Sequence, residues 1–393
     1  MITVSKAIVT VSVYEESSAF LRLRDSWQDM YQSSPTSTPY QSWEWLSSWW
    51  EYYGSPSGGR LRLIAVHEGD VLIGLAPLML RGCYGLRRLV FLGTPISDNL
   101  DVIARGGRER DVAHALVKYL RSSWSLPMLD LEEVREGGVA EALAATWGSP
   151  GIRIEQSICP SMPIKPWNDL VAALPRKRRE TARKTIRRAD QLGLGWKPVP
   201  TERTVDATER WLELHRRYWR GRGITQEHET ARFAAHLNRS AMQLQESGLA
   251  RVYELVRCDD YGGVTIAGAD MVLVGHDFAT GYISGFADEI PRQFEVNTLL
   301  VRLWVDVALE HGVPVVSMGR GVEPYKTKWC SQYRTNYRIM LGRPTLQWMA
   351  ITGYYIIRRW AAKSSLARVI VHQVLSAHRR IINALHDSVA GWR

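Results

Sequence analysis

Residues 317–329 read SMGRGVEPYKTKW and form the densest cluster of polar side chains in the chain. The apolar run before them, 313–318, predicts a buried strand, and the glycines at 319 and 321 permit a sharp turn after it. A fixed cation, a carboxylate, a phenol and an ammonium group follow, supplied by Arg320, Glu323, Tyr325 and Lys326. Group transfer to an amine or hydroxyl needs a base, an acid and cations for developing charge. A surface turn with solvated charges carries the same residue types, so the residues alone leave both interpretations open.

The residues around this cluster predict an alternation of helices and strands. In the half of the chain that contains the cluster, strands are predicted at 250–257, 264–274 and 278–284, and helices at 170–192, 205–222, 227–247 and 296–311. In the preceding half, strands are predicted at 9–14, 61–67, 71–81, 86–92 and 128–131, and helices at 16–32, 41–53, 110–122 and 139–147. The order of helices, strand meander, helix and strand occurs twice, which indicates a duplicated α/β unit.

The chain length supports a division into domains. With 393 residues, the chain exceeds what one hydrophobic core ordinarily organises. Prolines 160, 163 and 166 mark a shift in composition and predict a boundary there. We therefore expect an N-terminal domain at 1–165, a second domain at 166–345 and a basic helical tail at 346–393.

Composition excludes several classes of protein. A chain that is 45% apolar and 23% charged is neither disordered nor fibrous. Its four cysteines, at 83, 159, 258 and 330, form no C-x-x-C pair, which favours a reducing, cytoplasmic setting. No secretory signal and no membrane-spanning run is predicted.

Positive charge is concentrated in two segments of a chain whose net charge is +10. Residues 176–188 contain eight Lys or Arg and one acid, and residues 358–393 contain seven and one, so the segments carry +7 and +6. Both segments predict an anionic partner. Apolar residues at 366, 370, 374, 377, 381 and 385 further predict an amphipathic helix over 366–385 that packs on the protein, pairs with a second copy or binds a membrane surface.

Several chemical signatures are missing from the sequence. There is no G-x-x-x-x-G-K-[ST], no G-x-S-x-G and no H-E-x-x-H, and the ten histidines show no metal-ligand spacing. The segment from Gly319 fails the dinucleotide fingerprint because Pro324 occupies the position of its third small residue. No metal site is expected.

The cluster resembles the G-R-G-x-E-x-Y-K signature of the GNAT-like acyltransferases of cellulose and exopolysaccharide biosynthesis, the CelD group. Other stretches resemble this group in order and spacing over about residues 35–335: TPYQS at 38–42, WW at 49–50, IGLAPL at 73–78, LG at 92–93 with SDNLD at 97–101, the basic segment 176–188, and HRRYWRGR at 215–222. The resemblance implies an α/β fold of two tandem GNAT-like domains with mixed, largely antiparallel sheets flanked by helices. The arrangement is similar to that of Fem-like aminoacyltransferases, with the chemistry in the second domain.

The resemblance also implies a donor and its site. Acyl-CoA, with acetyl-CoA first, is the expected co-substrate, and its phosphates are expected at the start of the predicted helix 296–311, near Asn297 and Thr298. Relatives have a Pro-Gly pair where this chain has Val296-Asn297, and an acid where it has Ser317. Glu323 or Asp270 would have to replace that acid.

Further candidates lie outside the cluster. Arg183, Lys184 and Arg187 of the predicted basic helix are expected to bind donor phosphates, although a solvated helix is the alternative. Trp219 and Arg222 are expected to line an acceptor groove, with core packing the alternative for Trp219. Asp270 lies inside a predicted strand, where exposure at a sheet edge is the simplest explanation.

These observations predict a cytoplasmic N- or O-acyltransferase. It would move an acyl group from acyl-CoA to an amine or hydroxyl, such as a sugar or lipid precursor of a surface polysaccharide. Glu323 is the expected base, Tyr325 the acid, and Arg320 and Lys326 the charge stabilisers. Two alternatives remain: a Fem-like transferase that uses aminoacyl-tRNA, and a non-catalytic scaffold that attaches to a membrane-bound polymer synthase at the inner face of the membrane.

Overall fold

The computed structural model describes residues 8–82, 87–122, 128–148, 150–258, 261 and 263–363, with the backbone alone at 347 and 358–363. Cys83 and the predicted amphipathic helix at 366–385 lie outside the described residues. The last described helix ends at Lys363.

A mixed sheet of 13 strands runs through the described part of the chain. Its order is β1-β2-β3-β4-β6-β13-β7-β12-β11-β10-β9-β8, and β5 pairs with β3 outside this path. The strands are β1 (Val9–Tyr14), β2 (Arg60–Glu68), β3 (Val71–Arg81), β4 (Arg88–Phe91), β5 (Ile103–Ala104), β6 (Met128–Val134), β7 (Gly151–Pro163), β8 (Leu194–Pro198), β9 (Ala250–Cys258), β10 (Val264–Val274), β11 (Ala279–Phe286), β12 (Val315–Ser317) and β13 (Gln332–Leu341).

Helices flank this sheet, and a short π-helix at Trp50–Gly54 extends α2. They are α1 (Ala19–Gln32), α2 (Trp43–Trp49), α3 (Glu109–Ser122), α4 (Val139–Trp147), α5 (Trp167–Ala172), α6 (Arg176–Gln191), α7 (Thr204–Trp219), α8 (Ala231–Glu246), α9 (Ile290–Gln293), α10 (Val296–Glu310), α11 (Pro324–Thr327) and α12 (Leu346–Lys363). None of the helices described here is long and apolar enough to cross a bilayer. The predicted fold class, mixed α/β with a sheet flanked by helices, is confirmed.

The chain builds the same arrangement twice. In the first half, antiparallel strands β1 to β4 precede helix α3 and strand β6, which is parallel to β4. In the second half, antiparallel strands β8 to β11 precede helix α10 and strand β12, which is parallel to β11. The last strand of each half pairs with the other half, because β7 lies antiparallel to β12 and β13 lies antiparallel to β6. The sheet is therefore continuous across residue 165, and the division into domains stays a prediction.

The hydrophobic core also joins the halves. Trp45 and Trp49 of α2 belong to the same buried cluster as Trp211 of α7 and Phe233 of α8. A second cluster surrounds α10 and strands β10 to β12. Burial of such large side chains contributes about 1.5–3 kcal/mol each, so the contact between α2 and α8 is a strong link between the halves.

Several elements differ from the sequence-based expectation. The single helix predicted at 170–192 is two helices, α5 and α6, because Pro175 lacks an N–H and disfavours helical geometry at Leu174. Strands β5, β7, β8 and β13 were not predicted. β7 contains Pro160 and Pro163, which fit an extended backbone and lose only a hydrogen-bond donor there.

Candidate functional site

The GRG turn follows β12 and is tied to strand β7. Gly319 and Gly321 have φ values of 66° and 103°, in the region that favours glycine. A Cβ at Gly321 would lie 2.5 Å from Glu323 Oε1, so only glycine lets the Glu323 carboxylate turn back over the loop. The Gly321 N–H donates to the Ile158 carbonyl at 2.9 Å, and the Ser317 hydroxyl accepts from the Gly319 N–H at 3.2 Å.

Arg320 connects this turn to the first half of the chain. Its guanidinium forms an ion pair with Asp98 and lies 3.5 Å from Glu133 Oε1, while its backbone N–H donates to Asp98 Oδ2 at 3.3 Å. Burial lowers the pKa of Arg320, but Asp98 and Glu133 outweigh burial and raise it above its usual value. The Arg320 charge is therefore balanced by two carboxylates before any substrate binds.

Lys326 and Glu323 form a second ion pair within the turn. Lys326 Nζ lies 2.9 Å from Glu323 Oε2 and also donates to the Arg320 carbonyl. The Lys326 side chain is 8% exposed and the Glu323 side chain 53% exposed. Lys326 thus holds the turn from inside, while the Glu323 carboxylate stays open to a ligand.

Tyr325 points into the second half of the protein. Burial raises its pKa, and the negative charge of Glu323 raises it further. Within the described residues, its hydroxyl has no hydrogen-bond partner. A phenol that stays protonated and unpaired can donate a proton to a leaving group.

Asp270 is buried, contrary to the expected exposure at a sheet edge. Strand β10 lies between β9 and β11, so Asp270 faces the interior and is 0% exposed. Its Oδ2 accepts from Trp304 Nε1 at 2.7 Å, whereas its Oδ1 is buried without a partner. Burial raises the pKa of Asp270 well above its usual value, so the group is a neutral acid and not a ready base.

The parallel strands β11 and β12 part after two residue pairs. They pair only at Ala279 with Val316 and at Thr280 with Ser317, although β11 continues to Phe286. Along this stretch of β11, Trp219 Nε1 donates to the Ser284 carbonyl at 3.3 Å. Exposed Arg222 lies over the Tyr218 ring, 4.5 Å from its centroid. Trp219 therefore borders the opening between the strands, and Arg222 lies three residues beyond the end of the same helix.

His215 lies against the Ser284 carbonyl, and His228 lies against His215. His215 Nδ1 is 2.8 Å from the Ser284 oxygen, so this nitrogen carries the proton. His215 Nε2 then accepts from His228 Nδ1 at 3.1 Å, which leaves the lone pair of His228 Nε2 free to accept. Burial lowers the pKa of both rings to about 4, so both are neutral near pH 7.

A cleft of about 240 Å³ lies where α6, the start of α10 and the segment after α11 meet. Three cations line it, Lys177, Arg178 and Lys328, together with Leu174, Thr181, Glu295 and Trp329. Arg178 Nη1 donates to the Lys328 carbonyl at 3.0 Å, which joins two walls of the cleft. Such a concentration of cations beside a helix N-terminus favours an anionic ligand.

The predicted donor-binding residues do not line this cleft, although Asn297 and Thr298 closely follow its lining residue Glu295. Thr298 is buried in the first turn of α10, and its hydroxyl donates to Glu295 Oε2 at 2.7 Å. Asn297 lies beside it as the second residue of the helix, with ordinary helical geometry. Arg183, Lys184 and Arg187 are exposed on α6 but do not line the cleft.

The corresponding opening in the first half is closed by charge. Strands β4 and β6 also part after two residue pairs, at Arg88 with Met128 and Leu89 with Leu129. Asp130 fills this position, 1% exposed, and both Arg88 and Arg338 bind its carboxylate at 2.7 Å. The first half therefore has no room for a donor at this position, whereas the second half does.

Sequence reasoning missed several of these residues. Asp98 and Glu133 meet Arg320 only through the fold, and His228 meets His215 in the same way, so their spacing along the chain gives no signal. Lys328 lies in the quoted cluster at 317–329 but was not selected from it. Lys177 and Arg178 are part of the predicted basic helix, but the sequence analysis selected Arg183, Lys184 and Arg187 from that helix instead. Among the described residues, no group of three or more His, Cys, Asp or Glu side chains is arranged to hold a metal ion.

Residues 176–327 match the family described as acetyltransferase (GNAT) domain. The match contains α6, α10, the GRG turn and most residues of the cleft, and it supports an acyltransferase. No curated protein sequence is significantly similar to the chain.

Solved structures share the fold. The structure of FemX is 12% identical and has a TM-score of 0.59, covering 81% of this chain and 95% of its own. The C-terminal domain of a lysylphosphatidylglycerol synthetase from Agrobacterium fabrum, itself of uncertain assignment, is 11% identical with a TM-score of 0.52, covering 87% and 98%. L-PGS from Bacillus licheniformis is 11% identical with a TM-score of 0.51, covering 82% and 93%. At such low identity these likenesses concern the fold alone.

Proposed function

We propose that the chain is an acyltransferase that moves an acyl group from acyl-CoA to an amine or hydroxyl, with its site in the second half. The observation that carries this proposal is the cation-lined cleft at the start of α10. Its wall at Lys328 and Trp329 lies three and four residues after Tyr325 in the chain, which supports treating the cleft and the GRG turn as parts of one site.

The cleft suits the phosphates of the donor. Lys177, Arg178 and Lys328 supply three positive charges, and the first turn of α10 adds the positive end of its dipole. Glu295 offsets part of this charge, and it lies 4.0 Å from Lys328 Nζ. A volume of about 240 Å³ accommodates a diphosphate-sized group and leaves the rest of the donor along the surface.

The unpaired stretch of β11 suits the thioester end of the donor. Beyond Thr280, no described strand pairs with β11 on the side of β12, which gives a narrow chain room to add to the sheet. The Ser284 carbonyl is not open, because it already lies within hydrogen-bond distance of His215 and Trp219. The acceptor attacks the thioester carbonyl, a C–N or C–O bond forms, and the C–S bond breaks. Glu323 takes the proton of the acceptor, and Tyr325 gives a proton to the departing sulfur. Arg320 and Lys326 hold the turn that carries both groups.

The acceptor belongs to the finer part of the proposal. We place the chain with the CelD group, which it resembles in the GRG turn, and propose acetyl-CoA as donor and a sugar or lipid precursor of a surface polysaccharide as acceptor. Cytoplasmic location and a division into units at 1–165 and 166–345 complete this proposal. No described residue identifies the acceptor.

Titration calorimetry with acetyl-CoA and longer acyl-CoAs tests the donor site. Lys177→Ala with Arg178→Ala removes two cations from the cleft, and Arg183→Ala with Arg187→Ala removes the same charge from exposed positions of the same helix. We expect the cleft variant to bind at least about tenfold more weakly and the control to change by less than about twofold. If both variants lose affinity equally, the phosphates do not lie in the cleft. If no acyl-CoA binds the unmodified protein, the donor assignment is wrong.

An aminoacyl-tRNA donor is the second candidate, and the exposed face of α6 favours it. Arg183, Lys184 and Arg187 extend the positive charge beyond the cleft over a surface that acyl-CoA does not need. Filter binding with tRNA at several salt concentrations tests this candidate. A steep loss of affinity with salt that is reduced in the Arg183/Arg187 variant would support tRNA, and the absence of tRNA binding would exclude it.

A further inference from the structure

The outer face of α12 is apolar and exposed. Leu346 is 82% exposed, Met349 51%, Ile356 51% and Ile357 58%. At 100° per residue these side chains fall on one side of the helix, together with Tyr354. From residue 344 to 357 the sequence contains no Asp, Glu, Lys, Arg or His. The exposed face of α3 shows the usual alternative, with Arg110, His114 and Lys118 directed to solvent.

The opposite face fixes the orientation of the helix. Thr352 is 2% exposed, and its hydroxyl donates to the Trp348 carbonyl at 2.6 Å. The Arg338 guanidinium lies over the Tyr355 ring, 3.7 Å from its centroid, and this arginine is held by Asp130 of the sheet. Because Trp348, Thr352 and Tyr355 face the protein, the helix cannot turn its apolar side inward.

Positive charge follows this apolar face directly in the sequence. Residues 358–393 contain seven Lys or Arg and one acid, a net charge of +6. An apolar helix face bordered by basic residues is the arrangement of helices that lie in the surface of an anionic membrane. The positive charge also argues against two other partners for this face, a second copy of the chain and the basic segment of the same chain. A second copy brings the same positive charge, and α12 offers no acid to attract the basic segment of its own chain.

We propose that the outer face of α12 binds the surface of a bilayer that contains anionic lipid, with α12 lying in the interface. Leu346, Met349, Ile356 and Ile357 enter the boundary between headgroups and acyl chains. This inference is independent of the proposed acyl transfer, because α12 lies outside the matched region 176–327.

Flotation of the full chain with vesicles tests the proposal. The vesicles contain phosphatidylcholine alone or phosphatidylcholine mixed with phosphatidylglycerol. Met349→Glu with Ile357→Glu places two charges on the outer face, and Leu21→Glu is the matched control at an apolar side chain of α1 that is 74% exposed. We expect the unmodified chain and the control to float with the mixed vesicles. We expect the affinity of the double variant for these vesicles to be lower by at least about tenfold.

Each other outcome overturns the proposal. Absence of binding to mixed vesicles, equal binding to neutral vesicles, or equal binding by the double variant and the control would exclude an anionic bilayer as the partner. Light scattering distinguishes the second copy: a dimer that the double variant converts to a monomer would assign the face to self-association. Urea unfolding provides the folding control. If the double variant has the same unfolding curve as the unmodified chain, the substitutions act on binding and not on folding.

Discussion

Replacing Arg320 by Met should destabilise the protein through Asp98 and not only slow its reaction. The guanidinium forms an ion pair with Asp98, which is 15% exposed, and lies 3.5 Å from Glu133, which is 6% exposed. Removing one partner of a buried pair costs about 3–5 kcal/mol because a charge remains without compensation. Because Arg320 is 35% exposed, solvent screens part of this cost. We expect Arg320→Met to lower the free energy of unfolding by about 2–3 kcal/mol, measured by urea unfolding at neutral pH.

A double-mutant cycle with Asp98→Asn separates the ion pair from other effects. In the unmodified protein, the Arg320 backbone N–H donates to Asp98 Oδ2 at 3.3 Å. The amide that Asp98→Asn introduces keeps an oxygen that can accept this bond, and it removes the negative charge that would be left uncompensated in Arg320→Met. We expect a coupling energy of about 2 kcal/mol between the two substitutions. The control cycle uses Arg302 and Asp306, an exposed pair one helical turn apart, and should give about 0.5 kcal/mol or less.

The outcome decides what Arg320 does. The coupling energy between Arg320 and Asp98 could be as small as that of the control pair while turnover is still lost. Arg320 would then act on the reacting groups, and the reasoning that it stabilises the protein through Asp98 would be wrong. If the coupling is large and the double variant recovers both stability and part of the turnover, then Arg320 acts by holding the turn in place.

Three further predictions concern single side chains. His236 is fully buried and its burial lowers its pKa to about 3, so the unfolded chain takes up a proton first as pH falls below about 6.5. Unfolding free energy should therefore fall by about 2 kcal/mol more between pH 7 and pH 5 in the unmodified chain than in His236→Phe; equal pH slopes would contradict this. Glu323→Gln should fold normally and lower turnover by about two to four orders of magnitude in an acyl-transfer assay, and Tyr325→Phe should lower it less; unchanged turnover would reject these roles. Asp270→Asn should cost less than about 1 kcal/mol in urea unfolding because the acid is neutral when buried, whereas Asp270→Ala should cost about 1–3 kcal/mol by leaving Trp304 Nε1 without an acceptor; equal costs would mean that the carboxylate is charged.

The two halves of the sheet show why one site is open and the other closed. Both contain a pair of parallel strands that part after two residue pairs. In the first half, Asp130 with Arg88 and Arg338 occupies the gap with paired charges. In the second half, Trp219 borders the gap, and the cleft at the start of α10 carries a net positive charge. The same backbone arrangement therefore provides structural support in one half and a candidate site in the other.

Most elements were predictable because they depend on local periodicity. Strand β10 and helix α4 have the predicted bounds, and α10 begins at the predicted residue. The errors arose where local rules compete with tertiary pairing. β7 was missed because its prolines indicate a boundary in isolation, yet its pairing with β12 and β13 stabilises it as a strand.

The candidate site was predictable in part. The sequence places Arg320, Glu323, Tyr325 and Lys326 in one turn because glycines at 319 and 321 confine them there. It does not reveal that Asp270 is internal, since a strand pattern leaves open whether that strand is central or at an edge. The sequence also does not distinguish Lys177 and Arg178, which line the cleft, from the cations of the same helix that do not line it.

The sequence by itself determined the duplicated order of helices and strands, the mixed α/β class and the position of the reactive turn, because periodicity, glycines and prolines act over a few residues. Only the tertiary structure decided which charges meet. Arg320 and Asp98 are 222 residues apart in the chain, and no local preference links them. The exchange of β7 and β13 between the halves, the closure of the first gap and the walls of the cleft depend on such distant contacts, which form only when the whole sheet is assembled.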